Sequence, residues 1–169
     1  MNIENISSCP YYLITRVSLT ITTALKKGFA ESGIGEVKPA YLGALMCLWT
    51  NESMGETLGK FGHIDGFKIN ELGRCAGLEP STMTGLIDRM EKGGLVYRAA
   101  DPEDRRVMKV HLTDTGWNIR EKALAVVDRT IKEVFDGIPE ENLEVSKDVL
   151  RNVLINSNKV GASWIQTEK

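Results

Sequence analysis

Histidine is nearly missing from this chain: His63 and His111 stand far apart, at neither HxxxH nor cysteine–histidine ligand spacing. No transition-metal ligand set is visible, and no metal or other cofactor is expected. Cysteine is scarce as well, since Cys9, Cys47 and Cys75 are an odd number without a CxxC pair. That argues against a disulfide framework or a zinc finger and leaves at least one thiol unpaired within the monomer. No apolar run approaches the ~20 residues that a membrane span needs, and the polar start MNIENISS lacks the charged and apolar regions of a secretory signal. The expectation is a cytoplasmic protein with no membrane partner. Internal repeats, low-complexity tracts, a glycine-rich phosphate loop and a nucleophile elbow are all absent. The acidic clusters at 101–104 and 140–144 fall on a turn and a helix start. An enzyme is therefore not expected.

What is present is an ordinary globular composition. The 169 residues are 42% hydrophobic and 26% charged, enough to bury a sizeable core in one domain or two small lobes. The net charge of −2 does not by itself point to nucleic acid. It is unevenly spread, however. Residues 74–120 hold eight Lys/Arg and seven Asp/Glu, a net +1, against −3 for the remainder. Any affinity for phosphates must come from local arrangement.

Apolar residues at Leu13, Val17, Ile21, Leu25 and Phe29 recur every fourth position, which predicts a helix from Tyr11 to Glu31, ended by Gly33 and Gly35. A second helix starts at Pro39 and carries Tyr41, Leu42, Leu45, Met46, Leu48 and Trp49. Residues 51–68, with four glycines and little periodicity, read as a long loop or short insertion. The pattern resumes at Ile69 with a short helix, a turn at Gly77-Leu78, and a longer helix from Pro80 to Lys92 closed by Gly93-Gly94. The period then changes to two. Strands are expected from Leu95 to Ala100 and Arg106 to Leu112, joined by the turn Asp101-Pro102-Glu103-Asp104. Thr113 can cap a long helix running to Phe135, and Pro139 opens a last helix bearing Leu143, Leu150 and Leu154.

A short helix, a glycine turn and a second helix make a helix-turn-helix, whose second helix is narrow enough to enter a DNA major groove. Met83, Leu86, Ile87 and Met90 would pack inward, leaving Ser81, Thr82, Thr84, Gly85, Asp88 and Arg89 on other faces. Small hydroxyls at a helix start are suited to base edges and phosphates. In the hairpin, Arg98, Arg105 and Arg106 flank an acidic turn, so Asp104 is placed to brace an arginine for a minor groove.

The run ELGRCAGLEPSTMTGLIDRMEKGGLV, then RAADPEDRR, then VHLTDTG resembles the multiple-antibiotic-resistance regulator (MarR) family of winged helix-turn-helix repressors. The match covers residues 69–116, with DPEDRR and LTDTG its most specific parts. The resemblance implies a mainly α fold with a small β-wing and a helical dimerisation region drawn from both termini. It divides the chain into a dimerisation helix (1–36), a second helix with a glycine-rich insertion (37–68), the DNA-binding lobe (69–113) and C-terminal dimerisation helices (114–169). It also implies an obligate homodimer on a pseudo-palindromic operator of double-stranded DNA. Ser81, Thr82, Thr84 and Arg89 fall on the recognition helix, Arg106 becomes the minor-groove arginine and Asp104 its brace. Two positions depart: Gly73 stands where alanine is usual, and Gly85 where many members carry a long polar side chain. A winged-helix interaction module without DNA affinity is the competing reading.

Family members often respond to small aromatic acids or phenolic compounds. Tyr12, Arg16, Tyr41, Leu45, Trp49 and Phe67 would suit such an apolar anion. Other relatives sense peroxides through a cysteine near the start of the first helix, where Cys9 lies and where a helix N-terminus can lower a thiol pKa. Cys47, on an apolar helix, and Cys75, in the helix-turn-helix, are expected to be buried.

Overall fold

The computed structural model describes residues 6–53 and 66–157. Most of the glycine-rich stretch expected as an insertion, 54–65, lies outside the described residues. Compactness divides the chain into two units, Met1–Pro39 with Glu121–Gly137 and Ala40–Arg120 with Ile138–Lys169. Among the described residues no helix is long and apolar enough to cross a membrane.

The first unit is helical. A 3-10 turn at Ile6–Ser8 leads into α1 (Pro10–Glu31), with Cys9 as N-cap and Pro10 in the first turn, where its missing N–H leaves no bond unmade. Arg120–Val134 forms α6. Gly28 lets α1 and α6 meet closely, since a Cβ there would fall 2.8 Å from Val126 Cγ1. The four-residue apolar stripe of α1 is buried at Leu25 and Phe29, whereas Leu13 and Val17 are each 48% exposed.

In the second unit, a 3-10 turn at Pro39–Tyr41 precedes α2 (Leu42–Ser53). Then come β1 (Phe67–Lys68), α3 (Ile69–Cys75), α4 (Pro80–Lys92), β2 (Val96–Ala100), β3 (Met108–Leu112), α5 (Asp114–Asn118) and, after α6, α7 (Glu140–Ser157). The three strands are antiparallel in the order β1-β3-β2. Strand β1 departs from the sequence expectation, which left residues 67 and 68 in a loop. Two residues are too few to show a period, and only pairing with β3, Phe67 against Val110, makes them a strand. The long helix expected from Thr113 to Phe135 is also divided. The backbone tightens at Ile119, with ψ −10°, well short of the value that propagates an α-helix.

Leu45, Leu48, Trp49, Leu72, Met83, Ile87, Met90, Leu95, Val96 and Val110 form the fully buried centre of this unit. Each such side chain contributes about 1.5–3 kcal/mol relative to exposure. Phe67 and Tyr41 join them, and these two and Leu45 are residues expected as ligand contacts. Trp49, a fourth, donates its indole N–H to the Gly116 carbonyl at 2.9 Å, so its polar edge is satisfied inside the core. Met108 alternates as expected but is exposed, while Val110 and Leu112 are buried.

Candidate nucleic-acid interface

The second helix of the helix-turn-helix owes its orientation to its apolar stripe. Met83, Leu86, Ile87 and Met90, at three- and four-residue spacing, are all buried. The turn before it, at Gly77, requires a positive φ of 66°. Gly73, the family departure in α3, lies where a Cβ would come 3.0 Å from the Leu78 carbonyl. That tight approach holds α3 against the turn and favours the smallest residue.

On the opposite side, Ser81, Thr82, Thr84, Asp88 and Arg89 are exposed and Gly85 is half-buried. Glu79 is the N-cap but gives no side-chain cap, leaving the first-turn N–H groups open beside Ser81 and Thr82. Thr84 turns its hydroxyl inward, donating to the Pro80 carbonyl at 3.0 Å, which leaves its methyl and acceptor lone pairs outward. Gly85 has open space: the nearest heavy atom to a Cβ there is Arg89 Nη1, at 3.6 Å. The missing side chain thus gives the Arg89 guanidinium room over the helix face.

Arg98 occupies a different place from the one the wing expectation gave it. Its guanidinium bridges Asp88 Oδ1 at 2.6 Å and Glu91 Oε2 at 2.5 Å, and its backbone N–H donates to Glu91 Oε1 at 3.0 Å. Burial of the group works against its charge, but the hydrogen bonds to Asp88 and Glu91 prevail and the pKa is raised. Arg98 therefore fastens β2 to the C-terminal half of α4, and takes Asp88 out of the set of unengaged groups on that helix.

The wing turn is organised from its base by Asp101. One carboxylate oxygen pairs with Lys109 Nζ at 2.8 Å, and the other accepts the backbone N–H groups of Glu103 at 2.8 Å and, weakly, Asp104 at 3.4 Å. The Lys109 ammonium, followed by the Glu103 amide, holds the Asp101 carboxyl down at about 2. Asp101 N–H donates to the Val107 carbonyl and Val107 N–H to the Asp104 carbonyl, closing the loop. Asp104 meets Arg106 at the backbone and not at the guanidinium that the brace expectation concerned: its carboxylate accepts the Arg106 amide N–H at 3.0 Å. Arg105 and Arg106 on this turn are exposed.

The LTDTG run has a structural explanation. Thr113 Oγ1 accepts the Gly116 N–H at 3.0 Å, capping α5 as expected, and donates to the Gly94 carbonyl at 2.6 Å. A Cβ at Gly116 would overlap the Leu95 carbonyl, so only glycine lets α5 start against the exit of α4.

Sequence reasoning missed the Asp101–Lys109 pair, although an Asp-Pro at a turn start is a known backbone-capping signal. It also missed a disulfide. Cys47 on α2 and Cys75 at the end of α3 are bonded, with Cα atoms 6.3 Å apart. This corrects the expectation of two buried, unlinked thiols, for Cys47 is half-buried and Cys75 exposed. Their sequence separation of 28 carries no pairing signal. Cys9 is free and half-buried. In the first unit, the Arg16 guanidinium lies 5.9 Å from the centre of the Tyr12 ring, a cation–π distance.

A short helix, a tight turn, an apolar-backed second helix with outward hydroxyls and an arginine, and a two-arginine wing together define a winged helix-turn-helix protein. Residues 40–108 match the model of the MarR family. Among curated proteins, the HTH-type transcriptional regulator YsmB of Bacillus subtilis is 36% identical over 77 residues, 46% of this chain and 53% of YsmB. The chain thus spans about half the length of that relative. Among solved structures, CouR from Rhodococcus jostii RHA1 bound to p-coumaroyl-CoA aligns with a TM-score of 0.66 at 27% identity, over 88% of this chain and 93% of CouR. MepR of S. aureus in its DNA complex aligns with a TM-score of 0.72 at 19% identity, over 88% and 98%, a likeness of fold. The chain is thus similar over residues 40–108 to the MarR family, and its relative YsmB is an HTH-type transcriptional regulator.

Proposed function

We propose that this chain is a sequence-specific DNA-binding regulator that acts as a homodimer on a near-palindromic operator and represses until a small aromatic ligand releases it. The observation that carries the reading is the pairing of an exposed helix face, Ser81, Thr82, Thr84 and Arg89, with Arg105 and Arg106 on a wing turn held rigid from below. Helix N-terminal hydroxyls and amides suit phosphates and base edges in the major groove, and extended arginines suit the negative potential of a narrow minor groove.

Dimerisation is supported by apolar rows that have no cover. Leu13, Ile14 and Val17 on α1 are 45–48% exposed, and Val145, Val149 and Val153 on α7 are 48–63% exposed. No α7 side chain is buried among the described residues. Surfaces of this kind mark association sites, and a two-fold pair of reading heads matches a palindrome. For the effector, the relative CouR was crystallised with an aromatic thioester, and the Tyr12–Arg16 pair offers an aromatic face and a cation to an aromatic acid.

The test is a binding titration on the promoter region of the chain's own gene. A protected near-palindrome, with affinity falling steeply as salt rises, is expected. Absence of retardation at low salt would instead favour an interaction module without DNA affinity. Adding hydroxybenzoates or cinnamates should release the operator, and transcription from that promoter should rise when the gene is deleted. Cys9 at the N-cap of α1 supports a peroxide-responsive second reading. Equal responses of wild type and Cys9→Ser to peroxide would eliminate it.

A further inference from the structure

Cys47 and Cys75 are joined at a place where a covalent tie acts on the helix-turn-helix itself. Cys75 is the last residue of α3, and the turn into α4 begins one residue later. Gly43, one helical turn before Cys47 on α2, meets that same turn: a Cβ on Gly43 would lie 3.3 Å from the Ala76 carbonyl. Positions 43 and 47 share a face of α2, so the close approach and the sulfur bond lie along one stripe. The Cα separation of Cys47 and Cys75, 6.3 Å, falls in the range that a disulfide spans without moving the backbone. The bond is accessible, because Cys75 is exposed and Cys47 half-buried. Accessible disulfides exchange with small thiols, while enclosed ones resist.

We infer that Cys47 and Cys75 form a reversible dithiol–disulfide site whose reactants are low-molecular-weight thiols and disulfides, and that its oxidation locks α3 to α2. In the oxidising direction, the exposed Cys75 thiolate attacks one sulfur of a small disulfide, forming a mixed disulfide and expelling one small thiolate. The Cys47 thiolate then attacks the Cys75 sulfur and expels the second. Two protein thiols lose two protons and two electrons, and the small disulfide becomes two thiols. Reduction runs the same steps backwards. Cys9, the N-cap of α1, takes no part.

The test uses the full chain equilibrated in buffers of varied reduced-to-oxidised glutathione ratio, quenched with an alkylating reagent and mapped by peptide mass. Cys47 and Cys75 are expected to gain and lose their labels together in one two-electron transition, while Cys9 stays alkylated or carries glutathione independently. In Cys47→Ser, Cys75 should accumulate the glutathione adduct. Alkylation of both cysteines at every ratio, or a bond that survives excess dithiothreitol in the folded protein, would overturn the site. The lock is read by amide exchange across residues 69–78, expected to be several-fold slower in the oxidised protein and unaffected by redox in a Cys47→Ser, Cys75→Ser double variant. Equal exchange in both redox states would remove the lock. An operator titration extends the measurement and rests on the regulator reading: oxidised protein should bind more tightly, because its reading head is preorganised. If neither form binds DNA, that reading fails, while the labelling and exchange results still decide the site and the lock.

Discussion

Asp101 and Lys109 face each other at the root of the wing, carboxylate to ammonium at 2.8 Å, with about nine-tenths of each side chain withdrawn from solvent. The pair sits below the turn that presents Arg105 and Arg106, and the second Asp101 oxygen holds the Glu103 amide within that turn. On the proposed reading, Asp101 acts on DNA contact only through others, as a positioning residue. Asp101→Ala should lower operator affinity severalfold while leaving the salt slope of binding almost unchanged, since neither wing arginine is removed. A salt slope reduced as in an arginine deletion would assign Asp101 some other role.

The same carboxylate gives a pH dependence with a definite sign. Its folded pKa, about 2, lies below the ordinary value of 3.8, so its contribution to stability is fully present above pH ~4. That contribution is lost as pH falls from about 4 through about 2. Chemical denaturation of wild type and Asp101→Asn between pH 5 and pH 2 should give midpoints that differ most at the upper end and converge toward the lower. A constant difference across that window would separate Asp101 from the acid response.

Arg106→Ala should weaken operator binding by about tenfold, near 1.4 kcal/mol, and leave the sedimentation behaviour of the protein unchanged. The Arg106 side chain has no hydrogen bond or ion pair within the turn, only its amide does, so the substitution removes reach without loosening the loop. If the arginine enters a narrow minor groove, replacing the A·T base pairs beneath it with G·C should erase most of the difference between the two proteins. Unchanged wild-type affinity after that replacement would shift its role to phosphate contact.

The parts of this fold that were legible beforehand are those written in neighbouring residues. Pro80 and Gly93-Gly94 bracket α4 at both ends, and the stripe Met83, Leu86, Ile87, Met90 names its buried face without reference to anything distant. Asp-Pro-Glu-Asp marks the wing turn in the same local way. Arg98 illustrates the opposite case. Within RAADPEDRR it looks like another wing arginine, yet its partners lie seven and ten residues earlier on α4, and only the packing of β2 on that helix brings them together. The burial of Trp49 and Phe67 carries no local mark either, because aromatic rings serve cores and pockets equally well, and the bond from Trp49 to Gly116 spans 67 residues. The Cys47–Cys75 bond was hidden for the same reason.

Val149 and Val153, one helical turn apart on α7 and 56% and 48% exposed, are the clearest test of the dimer. Replacing both with lysine places two like charges on a face that a partner would have to desolvate, at a cost of several kcal/mol. Sedimentation at micromolar concentration should shift from dimer to monomer, and operator binding should fall with it, because one reading head contacts only half a palindrome. A variant that remains dimeric would exclude this face of α7 from the interface.

Gly85 sits mid-helix on α4, where glycine costs about 0.8–1 kcal/mol relative to alanine. The space above it is open, with Arg89 Nη1 3.6 Å from the position a Cβ would take, an ordinary contact distance. Gly85→Ala should therefore raise unfolding stability by about 0.5–1 kcal/mol in a urea titration, with an unchanged m-value. Its effect on DNA is the more informative half. A methyl there narrows the room available to the Arg89 guanidinium, so a chain that uses Arg89 for base readout should gain stability and lose discrimination between its operator and a shuffled sequence of equal length. Gain of stability with discrimination intact would mean that Arg89 contacts phosphate, and that base readout falls to Ser81, Thr82 and Thr84.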